Sequence, residues 1–267
     1  MKIALVDSGI GLLPAATALR NLRPDADLVI SCDPEGMPWG PRTPADLTEH
    51  ALACARAAAA HRPDVLVVAC NTATVHALDA LRAELEPGIP VIGTVPAIKP
   101  AARAGGRVAI WATPATTGSA YQRGLIAEFG GEAEITEVPC PGLADAVEQA
   151  DEAAMARTIA AAAALTPAGT TEIVLGCTHY ELVADRIRAA VAATADPALT
   201  LHGSAGAVAA QALRRVPTES LARAGTGTLT VLLTGRPGPL PAAAAGYPEG
   251  RALLAAAGAT ETVTATV

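Results

Sequence analysis

Short apolar runs alternate with helical patterns along most of the chain. The run from residue 65 to 68, rich in branched side chains, ends at Cys70 and a few small residues, after which apolar residues recur at spacings of three and four. This pattern predicts a buried strand, a short turn and a helix, with Cys70 at the carboxyl end of the strand. Ligands of open α/β sheets bind at that edge, and the nearby helix N-terminus favours an anion and so can lower the pKa of a thiol.

The same arrangement occurs a second time, where an apolar run from residue 173 to 175 leads into Cys177 and a further helical stretch. Two earlier strand-to-turn units end at Asp7 and near Thr113. The pair Asp7 and Cys70 is 63 positions apart, and the pair Thr113 and Cys177 is 64 positions apart. Matched spacing of matched units predicts two similar half-chains, each with one cysteine at its ligand-binding edge.

The rest of the pattern completes two α/β layers. Further strands are expected at residues 28–32, 91–93, 135–138, 199–202 and 228–234, and further helices at 12–22, 45–61, 119–129 and 207–215, with a long helical region after 141. The prolines between 96 and 100 predict a boundary. We therefore expect two similar doubly wound α/β domains, related by a pseudo-twofold, with the active site in the cleft between them. The first comprises residues 1–96 plus about 206–267, and the second residues 97–205; the pattern does not place the tail after about 235.

Composition narrows the class of protein. Of the 267 residues, 51% are hydrophobic and 17% charged, so a large core can form. The net charge of −7 argues against nucleic-acid binding, which needs clustered Lys and Arg. No apolar stretch is long enough to cross a membrane and no leader pattern precedes the first strand, so we expect a cytoplasmic protein without a membrane partner. Five cysteines, an odd number, are expected to be reduced thiols.

The sequence lacks the residues that several classes of cofactor require for binding. The only lysines are Lys2 and Lys99, and neither is a convincing Schiff-base lysine for pyridoxal phosphate. No Gly-Lys-Ser/Thr loop occurs, and Pro14 stands where a dinucleotide fingerprint needs its third glycine. Cys177 and His179 could ligate zinc, but no closed four-ligand set is visible. We expect neither a cofactor nor a metal.

Two facing cysteines suit inversion at a carbon atom. If the halves pack about a pseudo-twofold, Cys70 and Cys177 face one another, so one thiolate can remove a proton while the opposite thiol delivers one to the other face. Asp7 and His179 are the neighbours expected to handle those protons. Small polar residues after the strands could hold carboxylates at helix N-termini: Ser8, Asn71, Thr72, Thr74, Thr117 and Thr178. The loop at residues 34–44, with Trp39 and Gly40, is a predicted substrate contact.

The other cysteines are expected to be small core residues. These are Cys32, Cys54 and Cys140.

These motifs give the chain a resemblance to the glutamate racemase family, within the cofactor-independent aspartate/glutamate racemases. The matching motifs occur in family order across about the first three-quarters of the chain: Asp7-Ser8-Gly9, Pro38-Trp39-Gly40, Cys70-Asn71-Thr72-Ala73-Thr74, Thr113 and Thr116 with Ser119 and Tyr121, Cys140-Pro141 with Glu148, and Gly176-Cys177-Thr178-His179-Tyr180. The resemblance implies interconversion of L- and D-glutamate without metal or pyridoxal phosphate.

The resemblance also implies roles for individual residues. Cys70 and Cys177 would be the two acid/base residues, with Asp7 assisting Cys70, and His179 and Glu148 assisting Cys177. Substrate would be bound by Ser8, Asn71, Thr72 and Thr178 and by the loop at Trp39 and Gly40. A homodimer and a role in supplying D-glutamate to the cell wall follow from the family as well.

The chain departs from the family at four places. Trp39 replaces a tyrosine, Leu12 a glycine, residues 34–36 a Thr-Ala-Arg sequence, and Glu181 a proline. Because most of these changes fall in the loop expected to read the substrate side chain, a racemase of a related acid such as aspartate remains an alternative. A third possibility, from a different class, is a binding or regulatory protein without turnover, which the survival of both cysteines disfavours.

Overall fold

The protein is described by a computed structural model, which covers residues 1–103 and 105–264. The described residues form two compact units: the first contains Met1–Thr94 and the chain from Ala205 onward, and the second lies within Val95–Ser204. Residue 104 of the predicted second domain and residues 265–267 of the predicted first domain lie outside the described residues.

The first unit is built on a six-stranded sheet. Its strands, numbered along the whole chain, are β1 (Lys2–Asp7), β2 (Asp27–Cys32), β3 (Val65–Val68), β4 (Val91–Gly93), β9 (Leu229–Leu233) and β10 (Arg236–Pro237). They lie in the order β10-β9-β2-β1-β3-β4, and every pair is parallel except β9 and β10. The sheet order reverses between β1 and β3, and that is the point at which open α/β sheets bind ligands.

Helices of this unit cover the sheet. They are α1 (Leu13–Leu22), α2 (Pro44–Ala59), α3 (Asn71–Leu85), α10 (Ala205–Arg215), α11 (Thr218–Leu221) and α12 (Pro248–Thr264). Alternate strand residues such as Ala4, Val6 and Val68 join the apolar faces of α2 and α3 in one buried cluster. Helix α1 packs against α10 and α12. Successive strand residues point to opposite faces of the sheet. Near-continuous apolar strands are therefore needed, as their sequences show.

The second unit repeats this topology with four strands. They are β5 (Arg107–Ala112), β6 (Glu134–Pro139), β7 (Glu172–Leu175) and β8 (Thr200–His202), all parallel, in the order β6-β5-β7-β8. Its helices are α4 (Ile98–Ala102), α5 (Ala120–Phe129), α6 (Leu143–Glu148), α7 (Glu152–Leu165), α8 (Thr178–Glu181) and α9 (Ala184–Val191). Counted within its own unit, each core sheet has the strand order 2-1-3-4. The predicted α/β class and its internal repeat are confirmed.

Two details differ from the sequence pattern. The long helical region expected after residue 141 is broken into α6 and α7, because Ala150 between them takes a positive φ of 51° and Asp151 caps α7 through the backbone N–H of Ala154. The segment from Pro96 to Pro100, expected as a boundary, also contains the start of α4, in which Ile98 and Ala101 are buried. No helix among the described residues is both long and apolar enough to cross a bilayer.

Candidate active site

In the first unit, Cys70 stands at the point where the sheet order reverses. It is the N-cap residue of α3, with φ −135° and ψ 121°, and follows β3 by two residues. Asp7 ends the neighbouring strand β1 and is fully buried. Its Oδ1 accepts hydrogen bonds from the backbone N–H of Ser8 at 2.7 Å and from the Ser8 hydroxyl at 3.3 Å. The sheet thus brings the predicted thiol and its predicted carboxylate to adjacent strand ends of one unit.

The polar residues after Cys70 occupy the start of α3. Asn71 is buried and Thr72 is half-buried in the first turn, where backbone N–H groups lack helical partners. Thr74 has a structural use as well, since its hydroxyl accepts a hydrogen bond from the Thr94 N–H at 3.0 Å and so ties α3 to the end of β4. The roles of these residues in substrate binding stay predictions.

The loop after β2 is organised by Asp33, a residue to which the sequence pattern assigned no role. Its carboxylate accepts hydrogen bonds from the indole N–H of Trp39 at 3.0 Å and the Thr234 hydroxyl at 3.1 Å, and it pairs with His50 at 2.7 Å. Trp39 is only 1% exposed and belongs to the core cluster of the unit. Gly40 follows it and is half-buried. Trp39 therefore anchors the loop, whatever contact the loop makes with substrate.

In the second unit, Cys177 occupies the place that Cys70 has in the first. It is the N-cap residue of α8, with φ −136° and ψ 137°, and it follows β7, whose neighbour β5 ends just before Thr113. The two cysteines thus share a topological position and an extended backbone conformation. Gly176 makes this possible, because a Cβ there would lie 2.7 Å from the carbonyl oxygen of Trp111.

Cys177 is joined to an imidazole and a carboxylate. Its Sγ lies 3.8 Å from Nδ1 of His179, and the His179 Nε2 lies 3.0 Å from Oε2 of Glu148. His179 is buried, and Glu148 is the last residue of α6. A carboxylate on one ring nitrogen orients the imidazole, whose other nitrogen can then exchange a proton with the thiol. The structure brings these three predicted residues together.

The remaining predicted residues of this unit follow β7 and its neighbour β5. Thr178 is buried as the first residue of α8. Thr117 lies in the turn after β5, where its hydroxyl donates to the carbonyl oxygen of Thr113 at 3.0 Å. The sequence did not single out Glu137, whose carboxylate accepts from the Gly118 N–H at 2.9 Å and from the Gln122 amide and so braces this turn.

The other three cysteines, Cys32, Cys54 and Cys140, are buried. Burial raises the pKa of Cys54 and of Cys140 to about 12, and the thiol of Cys32 donates to the Gly9 carbonyl oxygen at 3.4 Å. Among the side chains of residues 1–103 and 105–256, no group of three or more His, Cys, Asp or Glu is arranged to hold a metal ion.

Comparison with known proteins places the chain in a family. The sequence model of the Asp/Glu/Hydantoin racemase family matches residues 15–212. A glutamate racemase of Roseiflexus is 37% identical over 246 residues, which cover 88% of each chain, and that of Brucella anthropi is 38% identical over 196 residues, 70% of each chain. The chain belongs to the glutamate racemase family.

A solved member of the family has the same fold. The crystal structure of Escherichia coli glutamate racemase, determined with L-glutamate and the activator UDP-MurNAc-Ala, matches with a TM-score of 0.76 and 28% identity, covering 87% of this chain and 88% of that one. The resemblance inferred from the motifs is thus confirmed, and the protein is an amino-acid racemase. The assignment of catalysis and substrate binding to individual glutamate racemase residues stays a prediction.

Proposed function

We propose that the protein interconverts L- and D-glutamate by a two-thiol mechanism without a cofactor. The observation that carries this proposal is the repeated placement of a cysteine, Cys70 and Cys177, as the N-cap residue after the third core strand of each unit. Glutamate as substrate is supported by relatives of up to 38% identity that are glutamate racemases.

The proposed step moves two protons. The thiolate of one cysteine takes the proton from the α-carbon, and the electron pair of the broken C–H bond remains on the substrate as a carbanion next to its carboxylate. The thiol of the other cysteine protonates the opposite face, so the first cysteine ends as a thiol and the second as a thiolate. The reverse reaction uses the same steps with the roles of Cys70 and Cys177 exchanged.

Each cysteine has its own support in this mechanism. His179, oriented by Glu148, exchanges protons with Cys177. Asp7 serves Cys70 from the neighbouring strand. Backbone and hydroxyl groups at the starts of α3 and α8 hold the substrate carboxylates, since helix N-termini bind anions: the residues are Ser8, Asn71, Thr72, Thr74, Thr117 and Thr178, together with the loop at Trp39 and Gly40.

The wider assignment follows from the same family. The protein acts in the cytoplasm as a homodimer on a small amino acid and supplies D-glutamate to the cell wall. Among relatives, the Escherichia coli protein binds L-glutamate, which supports a small-molecule substrate here.

The test follows both configuration and exchange. Protein treated with a chelator is incubated in D₂O with L- and D-glutamate and with L- and D-aspartate, and chiral separation with mass spectrometry reports inversion and deuterium at the α-carbon. We expect inversion of glutamate with deuterium uptake. Inversion of aspartate alone would instead mean that the altered loop at 34–40 selects the aspartate side chain as substrate. No inversion and no exchange with any of the four acids would overturn the proposal.

Substitutions test the mechanism. We expect Cys70→Ser and Cys177→Ser each to lower kcat by about 10²–10⁴-fold, because each removes one acid/base group. Cys54→Ala is the matched control, because it removes a buried thiol on α2, and it should retain activity. Full activity in either Cys70→Ser or Cys177→Ser would contradict the two-thiol mechanism.

A further inference from the structure

The helix that begins after Cys177 is fastened at its far end by Glu181. The Glu181 Oε1 accepts a hydrogen bond from the backbone N–H of Ser204 at 2.7 Å and one from the Ser204 hydroxyl at 3.0 Å. Gly203 packs so closely that a Cβ there would lie 2.3 Å from Oε2 of Glu181. We call Glu181, Gly203 and Ser204 the α8 clamp. Ser204 is buried and is the last residue of the second unit before the chain enters α10.

The helix depends on such contacts because it is short. With four residues, α8 has too few internal hydrogen bonds to hold its own direction. Three consecutive side chains instead attach it to three different segments. His179 contacts Glu148 at the end of α6, and the Tyr180 hydroxyl donates to the Cys140 carbonyl oxygen at 3.3 Å. Glu181 accepts from Ser204, which lies just before α10.

We propose that Glu181 is a positioning residue for racemisation, which fixes the direction of α8 and through it the distance between the Cys177 thiol and the His179 imidazole. The inference rests on the proposed function, because it assigns Cys177 and His179 to proton transfer. Glu181 would act through its hydrogen bonds to Ser204, and not by transferring a proton itself. A carboxylate that receives a backbone N–H and a hydroxyl makes charge-assisted hydrogen bonds, which are stronger than neutral ones. Without them, the end of α8 can turn about the Cys177 end.

Proton transfer between Cys177 and His179 depends on the distance between their side chains. The Cys177 Sγ and the His179 Nδ1 are 3.8 Å apart, at the long end of a sulfur hydrogen bond. A displacement of about 1 Å in a catalytic group can cost about 10²-fold in rate. We expect Glu181→Ala to lower kcat by about 10- to 100-fold and to raise KM by a smaller factor, because the substrate-binding groups at the start of α3 are untouched and only those at the start of α8 move with the helix.

Substitutions at Glu181 and at Ser204 test whether the hydrogen bonds between them, and not merely the size of the Glu181 side chain, position α8. Glu181→Gln keeps an acceptor oxygen for Ser204 and should recover most of the lost kcat. Ser204→Ala removes the 3.0 Å hydroxyl contact and keeps the backbone one, so its loss should be intermediate. If both residues act through one contact, the double variant Glu181→Ala, Ser204→Ala should lose no more kcat than Glu181→Ala alone. Glu152→Ala removes an exposed carboxylate paired with Arg186 in the same unit and is the matched control.

A second readout needs no substrate. The rate of alkylation of Cys177 by iodoacetamide, followed across pH by peptide mass spectrometry, reports how the imidazole influences the thiol. We expect Glu181→Ala to change this profile for the Cys177 peptide, while the Cys70 peptide of the same sample keeps its profile. A merely structural loss of stability would not move one cysteine and spare the other.

The outcomes are distinct. If the wild-type protein fails to racemise glutamate, the proposed function fails, and the alkylation profile still tests the clamp. If the wild type racemises glutamate and Glu181→Ala matches it in kcat and in the Cys177 profile, the inference is overturned. Should Glu181→Ala fail to fold, Ser204→Ala and Glu181→Gln carry the same comparison, and wild-type behaviour in both kcat and the Cys177 profile for Ser204→Ala would overturn the inference.

Discussion

At the scale of single residues, the two cysteines have similar backbones and different neighbours. The Cys177 thiol lies 3.8 Å from the buried imidazole of His179, which in turn contacts the Glu148 carboxylate. Cys70 instead follows β3, whose neighbour β1 ends at Asp7. An imidazole can take up or release a proton near neutral pH, while a carboxylate does so only in acid unless its surroundings shift it. The pair is therefore chemically unequal despite the repeated fold.

Glu148 is expected to act through His179. Glu148→Gln keeps the shape of the side chain and removes its charge, so the imidazole loses the partner that stabilises its protonated form. We expect kcat to fall by about 10²-fold, at the low end of what acid–base assistance contributes. Steady-state kinetics in both directions measure this.

A second histidine–glutamate pair in the same unit supplies the control. His202 Nε2 lies 2.5 Å from Oε2 of Glu172, which begins β7 at the end of the strand opposite to Cys177. Glu172→Gln should leave kcat close to that of the wild type. Equal losses in Glu148→Gln and Glu172→Gln would mean that the effect comes from stability and not from proton transfer.

Residues that lie next to a motif in sequence were predictable, and residues that depend on tertiary contacts were not. His179 was found because it stands two positions from Cys177. Glu148 was found only through the family resemblance, since 29 positions separate it from Cys177 and only the fold joins them. Asp33 and the contact between Glu181 and Ser204 carry no local signal, because a carboxylate after a strand or in a helix is usually solvated.

At the scale of elements, the loop after β2 is held by a buried network on Asp33. Besides Trp39, His50 and Thr234, the carboxylate accepts the Gly36 N–H at 3.2 Å, so one side chain fixes the loop, α2 and the end of β9. The tryptophan that replaces the family tyrosine is thus a core residue whose indole N–H points at Asp33.

Removing the acceptor should cost far more than removing one donor. We expect Asp33→Ala to lower the free energy of unfolding by about 3–5 kcal/mol, because it leaves several buried donors and a histidine without their partner. Trp39→Phe loses one hydrogen bond and keeps most of the ring, so about 1 kcal/mol is expected. Urea unfolding of the three proteins measures the difference, and similar midpoints for both variants would contradict the network.

Strands were predicted more closely than helices. The strand expected at residues 28–32 is observed as Asp27–Cys32, because an apolar run between turn residues has few other solutions. The helix α12 went unplaced, since its alanine- and glycine-rich sequence shows no apolar period. Its packing on α1, with Leu253 buried, is a tertiary contact that no local pattern encodes.

At the scale of the whole molecule, three aspartates of the first unit hold the segment at residues 220–228, which leads from α11 into β9 after the second unit. Asp27 accepts hydrogen bonds from the N–H and hydroxyl groups of Thr226 and Thr228, Asp64 binds Ser220 and Arg223, and Asp25 receives the Gly225 N–H. These contacts lie before β9 and guide it to the outer edge of β2.

The same contacts should make the protein acid-sensitive. The hydrogen bond from Arg23 lowers the pKa of Asp25 to about 2; burial raises the pKa values of Asp27 and Asp64, but hydrogen bonds outweigh it and both are lowered. A carboxyl with a depressed folded-state pKa contributes its full stability above the unfolded pKa, about 4, and loses it as the pH falls through the folded pKa. We expect the urea midpoint to begin to fall near pH 5 and to go on falling to about pH 2, where the folded-state pKa of Asp25 lies.

Asp27→Asn tests the origin of this sensitivity. The variant should be less stable than the wild type at neutral pH, and its midpoint should decline less on acidification because one linked carboxyl is gone. A decline as steep as that of the wild type would show that other groups govern acid unfolding.

The late arrival of β9 has a consequence during synthesis on the ribosome. Strand β2 ends at Cys32 and its outer neighbour β9 begins at Leu229, so the whole second unit is translated between them. At about 5–20 residues per second, the outer edge of β2 waits roughly 10–40 s for its partner. During that interval a buried-type, apolar strand has an open hydrogen-bonding edge, which is a template for pairing between nascent chains. Neighbouring ribosomes on one message would present such edges side by side, and the yield of native protein should therefore depend on how fast residues 33–228 are translated.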